Sequence, residues 1–416
     1  MANGAPTTLA AMPDVARRDL NLLPKAHLHL HFTGSLDIPT LRELSAWEGL
    51  DEAEQLIDDD PLSVPATKRG WWRFQRTYDI ARHVVISERA LRAVVDAAAR
   101  NDAAQGSRRT EIQVDPTSYA PYVNGLVNAL EIILDEAALA SRRHGIQMGV
   151  IVAASRLHHP LDARTLARLS ARFAGRGPGG VIGFGLSNDE TEGNTVEFGP
   201  AFRIARRAGI PGVPHGGEFR GPHHIAQVID ELHPTRIGHG IHAAESPALL
   251  KRIVDAGITL EVNPASNVSL GVYPDYSKVP LRTLLDAGAQ VALGADDPLL
   301  FLSGLTDQYR IARDYLGLSD AELAELARMS IRGSFAEQAD KARWLAEVDA
   351  WLAAAPESGP VLPAAGVAPV PGGLVARPSG LLVPERGLVA PPGDGGAESA
   401  DAGQGVPDAR NVRPGL

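Results

Sequence analysis

Short, almost wholly apolar runs recur along the chain, and longer stretches with apolar residues three and four apart lie between them. The first pattern suits strands buried on both faces, and the second suits amphipathic helices that cover them. The strand segments are Ala26–His31, Thr110–Val114, Gln147–Ala153, Val181–Leu186, Pro211–His215, Arg236–Gly238, Thr259–Asn263 and Gln290–Ala295. Pro200–Ala208, His223–Leu232, Ser246–Ala256 and Leu281–Ala287 read as covering helices. Eight strands alternating with helices predict an α/β fold, a (β/α)8 TIM barrel, with chemistry gathered at the C-terminal ends of its strands.

The segment between the first two strands is too long for a simple connection. It holds Asp37–Trp47, a polar stretch Asp51–Asp60 and the run Trp71–Arg100. This predicts a helical insertion above the barrel mouth, placed to act as a lid. The run Lys68-Arg69-Gly70-Trp71-Trp72-Arg73-Phe74 has the composition of a nucleic-acid stacking surface, but aromatics at helical spacing are read here as core or pocket wall. After Ser319 two further helices close the domain, the second ending near Ala355. Residues 1–20 read as a flexible arm, 21–355 as the barrel domain, and 356–416, rich in Pro, Gly and Ala, as a disordered tail.

Composition narrows the chemistry. The 416 residues contain no cysteine, so disulfides, a thiol nucleophile and thiolate metal sites are excluded. Any metal must be held by nitrogen and oxygen. The net charge of -10 repels nucleic acid and anionic membrane surfaces, and the N-terminal residues lack the apolar stretch of a signal peptide. No nucleic-acid or membrane partner and a cytoplasmic location are therefore expected.

The strongest local motif is His29-Leu30-His31 at the end of the first strand segment. A strand repeats every two residues, so both imidazoles face one side and can grip one ion. His27 continues the alternation one level deeper, where packing or hydrogen bonding is the expected role. His215, His239 and Asp296 each stand at the end of another strand segment. Taken singly, the histidines could be structural and Asp296 a helix cap, but together with the first pair they make a convergent set. Imidazoles with a carboxylate suit zinc, although iron, cobalt or manganese also accept such ligands.

The pieces PKAHLHLHFTGSL, TEIQVDP, IGFGLSNDE, HGGEFRGP, RIGHG, NPASNVSLG and GADDPLLF, in this order between Leu23 and Ala336, resemble the adenosine deaminase family. The resemblance implies one zinc ion per chain, held by His29, His31, His215 and Asp296. It also implies Glu218 as the acid at purine N1, His239 beside the attacking water and Asp297 at N7. His31, Thr33, Gly185, Asn188, Gly217 and Asp297 would bind the substrate, with the backbone near Asn188 reading N3 or forming only a loop turn. Protonating N1 draws electron density from C6, so a carboxylic acid at residue 218 serves addition to the ring. The alternative for Glu218 is a carboxylate at the start of the following helix.

Several positions depart from the family pattern. His27 stands where a glutamate is common, Gln113 where an arginine often appears, and Gly185 and Asn188 differ from the animal form. Thr33 stands in place of an Asp or Glu that is similar to a reader of the ribose hydroxyl. The implied activity is that of a hydrolase acting on cyclic amidines. Adenosine and 2'-deoxyadenosine would be converted to inosine products and ammonia, as in purine salvage. Because of Thr33, adenine, 6-aminodeoxyfutalosine and methylthioadenosine are alternative substrates. A purely binding role would not require the whole metal and acid set. Oligomeric state is not legible in the sequence.

Overall fold

A computed structural model describes residues 17–50, 56, 61–63, 65–356, 374–376 and 382–384. Eight strands lie in sequential order: β1 Lys25–His31, β2 Ser107–Val114, β3 Gln147–Ser155, β4 Val181–Ser187, β5 Gly212–Gly216, β6 Arg236–His239, β7 Thr259–Val262 and β8 Gln290–Leu293. All neighbouring pairs are parallel. The seam between the last and first strands closes through a Leu30–Asp296 bridge. There His31 N–H donates to Asp296 O at 2.9 Å, and Asp296 N–H donates to His29 O at 3.1 Å. The expected TIM barrel is present, and each of the eight strand segments coincides with one observed strand to within a few residues.

The long insertion carries α1 Ile38–Glu48, α2 Trp71–His83 and α3 Glu88–Ala104. Asp37 caps α1 and Ser87 caps α3 through side-chain acceptors, which explains where those helices begin. The outer layer continues with α4 Leu126–His144, α5 Pro160–Arg172, α6 Thr195–Arg207, α7 Pro222–Leu232, α8 Pro247–Asp255, α9 Pro264–Ser269, α10 Leu281–Asp286, α11 Pro298–Phe301 and α12 Leu305–Asp314. The closing helices are α13 Asp320–Gly333 and α14 Gln338–Ala353.

One expected boundary was misplaced. The helix expected to begin at Pro200 begins at Thr195, because Asn194 accepts the Val196 N–H at 3.3 Å and starts the turn before the proline. Proline here interrupts the interior of α6 rather than opening it. Two short strands, β9 Leu374–Ala376 and β10 Leu382–Pro384, pair antiparallel within the segment read as a structureless tail. The rest of that tail, the first sixteen residues and most of Asp51–Asp60 lie outside the described residues.

Strand alternation divides the barrel into two environments. Outward residues such as Leu28, Val150, Phe184, Ile237, Leu260 and Val291 are fully buried against the helices. The inward set is unusually polar. Arg109, Glu111, Arg236 and Glu261 are completely buried in the barrel interior. Arg236 is 2.7 Å from Glu111 and 2.6 Å from Glu261, and Arg109 is 2.9 Å from Glu111. Charges this deep are tolerable only when paired, and the alternation of sign supplies the partners. Among the described residues, no helix is long and apolar enough to cross a membrane.

Candidate active site

The charged array in the barrel interior ends at the histidines. Glu261 Oε2 is 2.7 Å from His29 Nδ1, so a hydrogen on Nδ1 is held by the carboxylate and the Nε2 lone pair points toward the barrel mouth. There the His29 Nε2 atom lies 3.3 Å from Asp296 Oδ1, and His31 Nε2 lies 3.1 Å from the same oxygen. The His215 ring is 4.7 Å and the His239 ring 4.8 Å from that of His29, centre to centre. His29 Nε2 and His215 Nε2 are buried without a hydrogen-bond partner. Burial among the neighbouring histidines holds His215 well below the usual imidazole range, leaving it neutral.

Bare imidazole nitrogens converging on a carboxylate are the donor set a divalent cation requires. The groups His29, His215 and His239, and His29, His31 and Asp296, have ligand atoms within 4.8 Å of one another. The donors present therefore fit a metal ion. His27 takes no part. Its Nδ1 meets Asp102 at 2.9 Å, and its Nε2 accepts the Ala295 N–H, as expected for a residue one level deeper.

Backbone strain concentrates here. His239, Asp296 and Asn188 all have positive φ, at 64°, 62° and 78°. Such conformations are uncommon for residues other than glycine and are held by surrounding structure, a pattern typical of sites. Asp296 is thus not extended, and its turn places Asp297 against Gly34 of the first loop. A Cβ at Gly34 would stand 1.8 Å from Asp297 Oδ1, so only glycine leaves room for this carboxyl. Gly238 has a similar role lower down, where a Cβ would be 2.7 Å from His29 and 2.8 Å from His215.

Glu218 is buried on the loop after β5, with Oε2 3.6 Å from His239 Nε2. Burial, reinforced by the charges of Asp296, Glu190 and Asp297, pushes its carboxyl well above the usual range. Asp297 is raised by burial and by Asp296. Burial instead pulls His239 down to about 3, so its imidazole is neutral. The alternative reading of Glu218 as a helix-start carboxylate does not match its position, since α7 begins four residues later and Glu218 faces the cavity.

The loop bearing Glu218 is fixed by a residue the sequence reading left as part of a turn. The Glu190 carboxylate accepts N–H groups of Gly217, Glu218, Phe219 and Arg220, and its Oε1 is 2.7 Å from His224 Nδ1. Burial opposes its ionisation, but the His224 and backbone donors prevail and bring it to about 2. Because the folded value lies below the ordinary 4.5, this carboxylate's stabilisation is present above pH 4.5 and lost as pH falls toward 2. Glu190→Gln should therefore lower stability at neutral pH by on the order of 3 kcal/mol and flatten that part of the acid-unfolding profile, measured by denaturant titration from pH 7 to 3.

Glu261 was likewise missed, and it has the clearest supporting role for the metal set. Glu261→Gln should weaken metal affinity by about 10–100-fold, read by competition with a chelator, and should also lower stability because Arg236 keeps only Glu111 as a buried carboxylate partner. An unaltered affinity would show that the Glu261–His29 contact does not prepare the ligand.

The cavity above these groups occupies about 850 Å3, including its open mouth. It is lined by His31, Asn188, His215, Glu218, His239, Asp296 and Asp297, so those expected site residues are brought together. His29 lies behind them. Thr33, Gly185 and Gly217 are not in the lining. Thr33 is completely buried, and its Oγ1 is 2.6 Å from Tyr119 Oη. Trp71, Phe74, Gln75, Tyr78 and Arg82 of α2 also line it, in keeping with the pocket-wall reading for Trp71 and Phe74, whereas Trp72 of the same run is 79% exposed to solvent and belongs to neither core nor pocket.

A barrel hydrolase site with an N/O donor cluster and a buried acid narrows the class, and comparison defines it. The chain belongs to the adenosine deaminase family, whose model matches residues 24–351. It is 54% identical over 336 residues to a Streptomyces virginiae protein named "Putative adenosine/adenine deaminase", covering 80% of this chain and 98% of that one. It is 31% identical over 326 residues to the adenine deaminase of Agrobacterium fabrum, covering 78% and 98% of the two chains. The crystal structure of adenine deaminase from Arthrobacter aurescens superposes with a TM-score of 0.72 at 28% identity, covering 80% of this chain and all of that one. The chain is thus a deaminase-family hydrolase, and deamination of a 6-aminopurine is its supported chemistry.

Proposed function

We propose that the protein hydrolyses adenosine and 2'-deoxyadenosine to the inosine products and ammonia, with zinc held by His29, His31, His215 and Asp296. The observation that carries this reading is the placement of the buried Glu218 carboxyl beside His239 and the His/Asp donor set, all opening on one cavity. When bound, a divalent cation at these donors acidifies water enough to supply hydroxide near neutral pH.

The residues of the chain do the rest. Glu218 delivers its proton to N1 and withdraws electrons from C6 as the water oxygen adds there. His239 takes the proton that the water gives up. In the structure the Asn263 Nδ2 amide nitrogen faces His239 Nδ1 at 3.2 Å and donates to it, which leaves the ring hydrogen on Nε2. For Nε2 to accept, the Asn263 amide must turn so that its Oδ1, which has no other partner among the described residues, accepts an Nδ1–H. His239 would thereby act as a base beside a bound cation, since its ligand atom lies within 4.8 Å of those of His29 and His215. Asp297, pressed on Gly34, orients the ring through N7, and Asn188 faces the same cavity. Return of the proton from His239 to the amino nitrogen lets ammonia leave, and the C6 hydroxyl proton passes to the Glu218 carboxylate as the C6 carbonyl forms, which regenerates the acid.

Adenine is the second reading, favoured by the relatives named adenine deaminase. The nucleoside is placed first because the cavity lining continues past the metal donors to polar groups, Gln75 and Arg82 on α2 with Asp115 and His158, that a bare base would leave unused. Ammonia release from a panel of adenosine, 2'-deoxyadenosine, adenine, methylthioadenosine and 6-aminodeoxyfutalosine, with metal content quantified, tests the assignment. Higher kcat/KM on adenosine than on the other 6-aminopurines supports it. A preference for adenine or for either extended nucleoside rejects adenosine while keeping the chemistry.

A further inference from the structure

Thr33 cannot serve as a free reader of a sugar hydroxyl. It is fully enclosed, and its hydroxyl is engaged with Tyr119. Besides Asp297, which is assigned to the ring, a carboxylate is offered to the cavity from the end of the next strand. Asp115 directly follows β2 and lines the cavity wall, with Tyr119 a few residues further on. Its two oxygens have different surroundings. Oδ1 accepts Thr117 N–H at 3.0 Å and Thr117 Oγ1–H at 2.6 Å, which caps the short turn that follows. Among the described residues no hydrogen bond to Oδ2 is formed, and His158 Nδ1 stands 3.7 Å from it, beyond hydrogen-bond distance.

The purine geometry points to this wall. The amino edge carries N1 and N7 on its two flanks, and the groups assigned to that edge come from the loops after β5, β6 and β8. N9 lies on the far side of the ring. Asp115 after β2, His158 after β3 and Arg82 on α2 form a polar cluster in the cavity lining, away from the metal donors. Arg82 is already paired with Asp79 at 2.8 Å, and His158 faces Asp115. With two carboxylates, Asp115 and Asp79, against one guanidinium, the cluster has no surplus positive charge, which suits a neutral hydroxylated group better than a free anion.

We infer that Asp115 is a specificity-determining residue, whose Oδ2 accepts a hydroxyl of the N9 sugar in the role that Thr33 has vacated. The inference rests on the nucleoside reading above. An ionised carboxylate is a strong acceptor for a hydroxyl, and removing one such partner costs about 1.5–3 kcal/mol, roughly 10–100-fold in kcat/KM.

The test compares wild type with Asp115→Asn, which keeps an oxygen for the Thr117 cap, on adenosine and its 2'-, 3'- and 5'-deoxy analogues. Asp115→Ser, whose hydroxyl can also cap the turn, is the second variant should the first fold poorly. In wild type one hydroxyl deletion should lower kcat/KM about 10–100-fold, mainly through KM. In either variant the same deletion should cost less than threefold, because its partner has already gone. If each deletion costs the same in variant and wild type, Asp115 does not read the sugar, and the nucleoside assignment still stands. If wild type turns over adenine but no nucleoside, both the assignment and this inference fall.

Discussion

Glu218→Gln should retain its full metal complement and lose about 10²–10⁴-fold in kcat. The glutamine preserves volume and a hydrogen-bonding end, but an amide has no proton of carboxylic acidity to give to N1. Its backbone N–H should still be fixed by Glu190 at 2.9 Å, so the loop need not move. The loss should therefore appear in kcat while substrate KM changes little. Single-turnover kinetics alongside elemental analysis separates this from a folding defect. A variant with near-normal kcat would remove Glu218 from proton transfer and leave only a positioning role.

Asp296→Ala should have a broader effect, lowering bound metal and kcat together. Asp296 Oδ1 is within 3.3 Å of both His29 and His31, so its removal takes away a donor and the negative charge that offsets a divalent cation. The expected outcome is a metal-to-protein ratio well below one after dialysis, with activity reduced at least 10²-fold and partly recovered by excess metal. Unchanged metal content would argue that the three imidazoles suffice. The contrast between the two variants distinguishes loss of the acid from loss of the ion.

The barrel was legible because its outward strand residues form apolar runs, such as Leu28 with Leu30 and Leu260 with Val262, and these need only local reading. The histidines and Asp296 were legible because each stands at a strand end. Supporting groups were not. Glu261 meets His29 across 232 residues of sequence, and Glu190 acts on main-chain N–H groups that carry no side-chain signal. A charged residue in a short, mainly apolar strand, as Glu261 is in Thr259–Val262, was the available clue. The misplaced start of α6 has a local cause, since Pro200 drew the boundary inward while Asn194 supplied the actual cap. Thr33 shows a different limit. Its identity indicated that a carboxylate was missing, but only folding reveals that its hydroxyl is spent on Tyr119 and that Asp115 lies on the neighbouring wall.

The seam between β8 and β1 has a consequence for how the protein is made. The backbone bonds that join the ends of the barrel belong to His29, His31 and Asp296, the same residues proposed to hold the ion. More than 260 residues separate them, so the donor set cannot exist until nearly the whole barrel has been synthesised and its first and last strands have met. Metal held by these residues would be coupled to ring closure and would act as a latch on it. Hydrogen exchange at His31 and Asp296 should slow more on metal addition than exchange in β3 or β4, across the barrel from the latch.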